Sequence, residues 1–567
     1  HALTTALSWE VASTALGLAA IFHLFVEIDP EPAGPEGPAA AAVSAALGLF
    51  AVLLYAGVST AAPWAWLAGW GGLAMLLYRH AAFPERAWLQ LAAAAGLGIG
   101  LSLIHLLHAT APGFPAPAIV LALLVGASVV LQGAALLRRE EDVATFAERA
   151  AALLPILLLL ALVPSPFLRG LGAAQALGAS LLLGLLAAFA ATRVGKGPWY
   201  AAAVAATWLV HNAWIFGAPL VYLPTADFLA ALWLAATAVV ALTLWPLLAV
   251  GRFSEDRIAW YAAALSGPLW FAPLRALYVA RFGDGAIGIL PILLGALALG
   301  AAARARSAWP EDDPRRTSAL AWFAGVALCF VAVAIPLQLE KQWVTIGWAL
   351  QGLAIIALWS RLDHPGLKYF GLLLLGAATA RLVANPALLT YYPRPDTRIV
   401  NWILYTYLVP AAALIGSAWH LRPREAERAR PWESGLYATG AAVGAIGSSG
   451  AAIAVLFVWM NLAIADWYST GTSLTLTLGG APAQRLTVSI TWAIYALLLL
   501  GLGMARAATG LRWLSLAFLL VTIGKVFLYD LGALRDLYRV ASLVGLAVSL
   551  ILVSLLYQRF VFRREPA

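Results

Sequence analysis

Runs of about twenty apolar residues follow one another along almost the whole chain, and no other feature limits its fold so tightly. A helix of that length keeps every backbone hydrogen bond inside itself, which hydrocarbon demands. The 567 residues are 63% hydrophobic and only 11% charged, too little polar matter to cover a globular surface. The expected fold class is therefore an all-α polytopic integral membrane protein with short loops. Punctuation by Pro, Gly and charge predicts about nineteen transmembrane helices. They fall at 5–26, 39–59, 62–79, 87–108, 116–137, 148–163, 170–192, 199–219, 227–249, 258–280, 286–303, 317–337, 342–360, 367–386, 398–420, 435–463, 487–506, 510–530 and 537–559. Residues 1–567 thus read as a single transmembrane region, with 466–486 as its longest outer connection.

The basic residues test this reading. Most of the 35 Lys and Arg gather on alternate connections, among them Arg138, Arg139, Arg193, Lys196, Arg304, Arg306, Arg315, Arg316, Arg422, Arg424, Arg428 and Arg430. The positive-inside rule then puts the C-terminus in the cytoplasm and the start of the numbering outside. The chain opens on His1 without a basic n-region or cleavage site, so it reads as continuing a longer chain. The formal charge of +8 forms no stripe along one helix, which argues against nucleic acid as a partner. Trp64, Trp66, Trp70, Trp199, Trp343 and Trp467 sit near helix ends, where indoles anchor at the interface. In the 466–486 connection the alternating SLTLTL stretch before Gly479 and Gly480 predicts a short β-hairpin or an ordered cap, against the alternative of a polar loop. Cys329 stands alone, excluding an internal disulfide and Cys-based metal sites.

Ionisable groups inside a bilayer are expensive, so each is a candidate. Glu10 lies in the first expected span, and His23 and Glu27, four residues apart, lie near its C-terminal end. His105 and His108 share one helical side but lack further ligands, so no metal is expected. His211 and Asn212 lie deeper and need polar partners, from a neighbouring helix or from a substrate. Arg275 and Arg381 are basic residues within or at the ends of expected spans, and Arg381 either snorkels or faces a cavity. Lys525 and Asp530 end one span where Arg535, Asp536 and Arg539 begin the next. That turn is either held by salt bridges or presents Lys525 and Arg539 to a phosphate or carboxylate. P-loop, nucleotide, HExxH and GxSxG signatures are absent, and no cofactor is expected.

The stretch LTVSITWAIYALLLLGLGMARAATGLRWLSLAFLLVTIGKVFLYDLGAL and the earlier AIPLQLEKQWVTIGWALQGLAIIAL resemble the bacterial membrane-protein family catalogued as domain of unknown function 2339. The resemblance covers roughly residues 330 to 560 and marks Lys525, Asp530, Arg539, Glu340, Trp343 and Trp348 as family-type positions. Gln351 departs from it, standing where an acidic residue is expected. The resemblance implies a bacterial inner-membrane protein and brings no catalytic residues. Many apolar helices with few mid-membrane charges suit a lipid-accessible groove better than an aqueous ion path. The expectation is a protein that handles an amphiphilic envelope component, a lipid or lipid-linked glycan, with Lys525, Asp530, Asp536, Arg539, His211, Asn212 and Arg381 as binding candidates. Two rivals stand beside it. One is a scaffold whose small-residue faces bind a partner membrane protein; the other is an outer-leaflet transferase with Asp466, Asp530, Asp536 or Glu340 as base.

Overall fold

The computed structural model describes Pro117 to Asp530 with short interruptions, plus isolated helical positions between Gln90 and Gly98 and between Val544 and Ser554. The described residues form fourteen α-helices. They are α1 (Pro117–Leu137), α2 (Glu141–Leu162), α3 (Ala173–Val194), α4 (Gly197–Gly217), α5 (Thr225–Leu248), α6 (Arg257–Phe282) and α7 (Ile289–Ala308). There follow α8 (Pro314–Gln338), α9 (Gln342–Leu362), α10 (Pro365–Ala384), α11 (Trp402–Leu421), α12 (Val443–Tyr468), α13 (Pro482–Ala505) and α14 (Thr509–Gly524), which runs into a π-helical turn at Lys525–Asp530. Among the described residues, eleven helices are long and apolar enough to cross a membrane.

Two expectations need correction. A count of about nineteen is not carried by the structure. The expected spans 5–26, 39–59, 62–79, 87–108 and 537–559 lie outside the described residues, apart from the isolated positions. The β-hairpin is not supported either, since there is no strand among the described residues. The helical backbone of α12 continues through Asp466 to Tyr468, and Pro482 opens α13 at a position where its missing N–H costs nothing. Both ends of the supposed cap are thus helix, and residues 470–481 lie outside the described ones.

Chain contacts divide the protein into two units, His1–Leu339 and Glu340–Ala567. In the first, sequential helices pair, and α3 with α5, α4 with α6 and α6 with α8 add next-but-one contacts. The most buried large side chains here include Trp270, Tyr200, Phe253 and Phe323. In the second, α9 packs on α10 and α11, and α12 packs on α11 and α10. The α13/α14 hairpin joins this four-helix bundle mainly along α12. Gly352 and Gly371 let α9 and α10 touch backbone to backbone: a Cβ on Gly352 would lie 3.1 Å from the Gly371 carbonyl, and one on Gly371 3.2 Å from the Gly352 carbonyl.

Proline inside a helix removes a donor and orphans the carbonyl four residues earlier, a cost that lipid cannot relieve. At Pro155, Pro246 and Pro273 a neighbouring helix supplies the missing donor. Pro155 frees the Ala151 carbonyl, to which the Gln132 amide donates at 2.9 Å. Pro246 frees that of Leu242, and the Tyr200 hydroxyl donates to it. Pro273 frees that of Leu269, and the Trp208 indole donates at 2.7 Å. In the second unit the sequence places Pro386 four residues after Leu382, whose carbonyl accepts from the Tyr407 hydroxyl at 3.1 Å.

Candidate functional site

Because α13 meets the bundle chiefly along α12, the seam between these two helices does not close. A groove of about 550 Å³ runs along it, within the usual size range of ligand pockets. Its walls are almost wholly apolar, with Leu456, Trp459, Met460 and Ala463 of α12 facing Ile494 and Leu498 of α13. Ile494 and Leu498 are exposed, so the groove opens sideways toward hydrocarbon. At one end, where α12 finishes and α13 starts, the Tyr468 hydroxyl and the Thr487 hydroxyl lie 2.8 Å apart and give the groove its polar edge.

That end of the second unit gathers polar and basic groups. Trp467, which lines the groove, carries the Arg398 guanidinium 5.1 Å from its ring centroid, a cation–π contact. Asn401 caps α11, accepting from the backbone N–H of Ile403 at 3.0 Å and of Leu404 at 3.3 Å. Its amide donates to the buried Asp466 carboxylate at 3.2 Å, tying the start of α11 to the end of α12. On α13, Asn461 of α12 accepts from the Trp492 indole at 2.9 Å. The Lys525 ammonium donates to the buried Ser489 hydroxyl at 2.7 Å and approaches the Arg485 carbonyl at 3.4 Å.

At the opposite end, the connection from α11 to α12 folds into a charged clasp. Lys368, at the start of α10, donates to both oxygens of Glu433 at 2.9 and 3.0 Å, with both side chains buried. Glu425 is fully buried and accepts from the backbone N–H of Gly444 at 2.8 Å, from that of Ala445 at 3.0 Å and from the Tyr437 hydroxyl at 2.7 Å. A carboxylate suits the start of α12, where the helix dipole is positive. Burial and the adjacent Glu425 push the Tyr437 phenol well above its usual range, so it remains a donor. Arg424 and Arg428 donate to the carbonyls of Ser360 and Trp359 at the end of α9. These two arginines thus close a helix instead of facing a ligand.

The sequence candidates scatter. Lys525 lies at the groove end of the second unit, but on the far face of α13 from the groove. Arg381 donates to the Lys341 carbonyl at 3.4 Å, joining the end of α10 to the start of α9. His211 and Asn212 belong to the other unit. There the His211 Nδ1 accepts from the Trp270 indole at 3.2 Å, and Asn212 donates to the Trp208 carbonyl at 2.9 Å. The His211 contact joins α4 to α6, whereas the Asn212 bond stays within α4. Asp530 lies on the π-helical turn, and Asp536 and Arg539 lie outside the described residues. Among the described residues no group of three or more His, Cys, Asp and Glu is placed to hold a metal. Sequence reasoning missed Arg485, Ser489, Arg398 and the Lys368–Glu433 pair. For Arg485 the signal was available: the α13 opening Pro-Ala-Gln-Arg carries a cation and no acid where helices favour acids.

Residues 391–560 match the model of the family described as predicted membrane protein DUF2339, as the resemblance of the C-terminal part implied. The match covers most of the second unit, including the groove, Arg398, Asp466 and Lys525. No curated protein and no solved structure matches the chain. The helices and the family together make this a multi-pass helical membrane protein.

Proposed function

We propose that the chain handles an amphiphilic envelope component of a bacterial inner membrane, a lipid or lipid-linked glycan, in the groove between α12 and α13. The observation that carries this reading is the shape and chemistry of that groove: almost wholly apolar, open to hydrocarbon, with the Tyr468 and Thr487 hydroxyls and the Arg398-bearing Trp467 gathered at one end. A hydrocarbon tail fits the walls and a polar head fits that end. The test is Ala463→Trp, which fills the groove with an indole. The protein is purified in native lipid and its retained amphiphiles are counted by native mass spectrometry. The expected result is loss of a defined species that wild type keeps, with helix content and melting temperature unchanged. Identical lipid complements would mean that the groove holds bulk lipid only, and the reading would fail.

A second reading, a scaffold for a partner membrane protein, is favoured by one observation. Gly447 and Gly450 on α12 lie open: among the described residues, their own helix backbone aside, nothing stands within 4 Å of where a Cβ would be. Small residues on a lipid-facing surface suit close helix packing. Loss of a co-purifying protein after Gly447→Leu would support it.

A further inference from the structure

The hydroxyl edge of the α12/α13 groove has no proton left to give. Thr487 donates its own to the Ala483 carbonyl at 2.9 Å, and Thr491 donates to the Thr487 carbonyl at 2.7 Å. Tyr468 is therefore the donor in its 2.8 Å contact with Thr487, and the edge offers oxygen lone pairs alone. An anionic head group cannot be held by it. A cation stands close by, however. Trp467, which precedes Tyr468 and lines the groove, carries the exposed Arg398 guanidinium 5.1 Å from its ring centroid. Stacking on an aromatic face steadies a guanidinium and leaves the N–H groups of its fork open at the rim. The neighbouring Asp466 carboxylate is buried and accepts from the Asn401 amide. The connection from α12 to α13, residues 469–481, has no charged side chain in the sequence, so it has no carboxylate to offer Arg398.

The size of the groove says how much of a lipid it takes. A methylene needs about the room of one liquid water, about 30 Å³, so 550 Å³ corresponds to about eighteen methylenes. That is one acyl chain and not two, and the sideways opening leaves a second chain in the bilayer. We infer that the groove holds one chain of an anionic phospholipid whose phosphate is taken by Arg398 on its Trp467 platform. The inference rests on the amphiphile reading above and names its head group. Phosphate suits the guanidinium because the fork matches two of its oxygens. Chain and phosphate need not meet at one spot: the glycerol separates them in the lipid, as the Trp467 ring separates the groove from the guanidinium. A lone exposed arginine holds a free anion weakly, but a chain seated in the groove keeps its own phosphate at high effective concentration beside that arginine. The competing partner for Arg398 is Asp396, two positions earlier in the sequence.

The test uses the full chain, delipidated in a neutral detergent and titrated with phosphatidylglycerol and, separately, with diacylglycerol of the same chains, with bound lipid counted by native mass spectrometry. The expected result is saturable binding of one lipid per chain, about threefold or more tighter for phosphatidylglycerol. Arg398→Gln is expected to bring that affinity down to the diacylglycerol value while diacylglycerol itself binds as before, and Arg398→Lys to keep part of the preference. Arg398 is exposed, so neither change threatens the fold. Arg506→Gln, an exposed control at the other end of α13, is expected to change nothing. Excess inorganic phosphate is expected not to displace the lipid. If wild type shows no preference while Ala463→Trp loses both lipids, the inference is overturned and the groove reading stands. If Ala463→Trp binds both lipids as wild type does, the groove reading fails and the inference falls with it. A preference that survives Arg398→Gln, or displacement of the lipid by inorganic phosphate, also overturns the inference.

Discussion

Tyr200 and Pro246 act as one residue shared between two helices. Without the hydroxyl the Leu242 carbonyl has no donor, so Tyr200→Phe is expected to cost about 0.6 to 1.7 kcal/mol, the range for hydrogen bonds between membrane helices. In a Pro246→Ala background the residue at 246 regains its N–H and the same change is expected to cost little. A double-mutant cycle of denaturant unfolding in detergent checks this. The Lys368–Glu433 pair is sharper: Lys368→Met strands a buried carboxylate and is expected to destabilise by about 3 to 5 kcal/mol, whereas Lys368→Met with Glu433→Leu recovers most of the loss. Neither pair was legible in the sequence. A tyrosine in an apolar run reads as interfacial, and Lys368 and Glu433 meet only because the clasp folds back across 65 positions. Lys525 was legible, since a cation amid apolar residues stands out by itself, but its partner Ser489 was not.

Helices were the easiest level to read, because apolar length alone sets them: each of the fourteen described helices lies within several residues of an expected span. Their ends were harder, being fixed by caps and not by hydropathy. Asp313 shows how such an end responds to acid. Its carboxylate caps α8, accepting from the Arg315 backbone N–H at 2.8 Å and pairing with its guanidinium at 2.6 Å. The hydrogen bond from the Arg315 side chain holds the Asp313 carboxyl below its ordinary range. Its folded pKa is therefore depressed, so the stabilisation is fully present above the unfolded value of about 4 and is lost as pH falls through the folded one. Asp313→Asn, which can still cap, is expected to flatten the acid side of the melting-temperature profile, measured between about pH 2 and 6.

For the whole molecule, charge distribution gave a topology but no packing, since Ala- and Leu-rich faces look alike before they meet. Hence the division after Leu339 and the open α12/α13 seam appeared only in the structure. The clasp and the Asp466 end lie at opposite ends of the second unit, which makes the proposed topology testable with one thiol. In a Cys329→Ala background, Ser434→Cys is expected to react with an impermeant maleimide only after cells are opened, and Ser469→Cys in intact spheroplasts. The reverse pattern would invert the protein. The carbonyls freed by proline also govern how this chain can change over generations. A proline can be lost first and its donor afterwards, since the restored N–H makes Gln132, Tyr200 or Trp208 dispensable for the bond. The opposite order passes through an intermediate with an orphaned carbonyl in lipid. Lineages are thus expected to carry both members of a pair, neither, or the donor alone, and rarely the proline by itself.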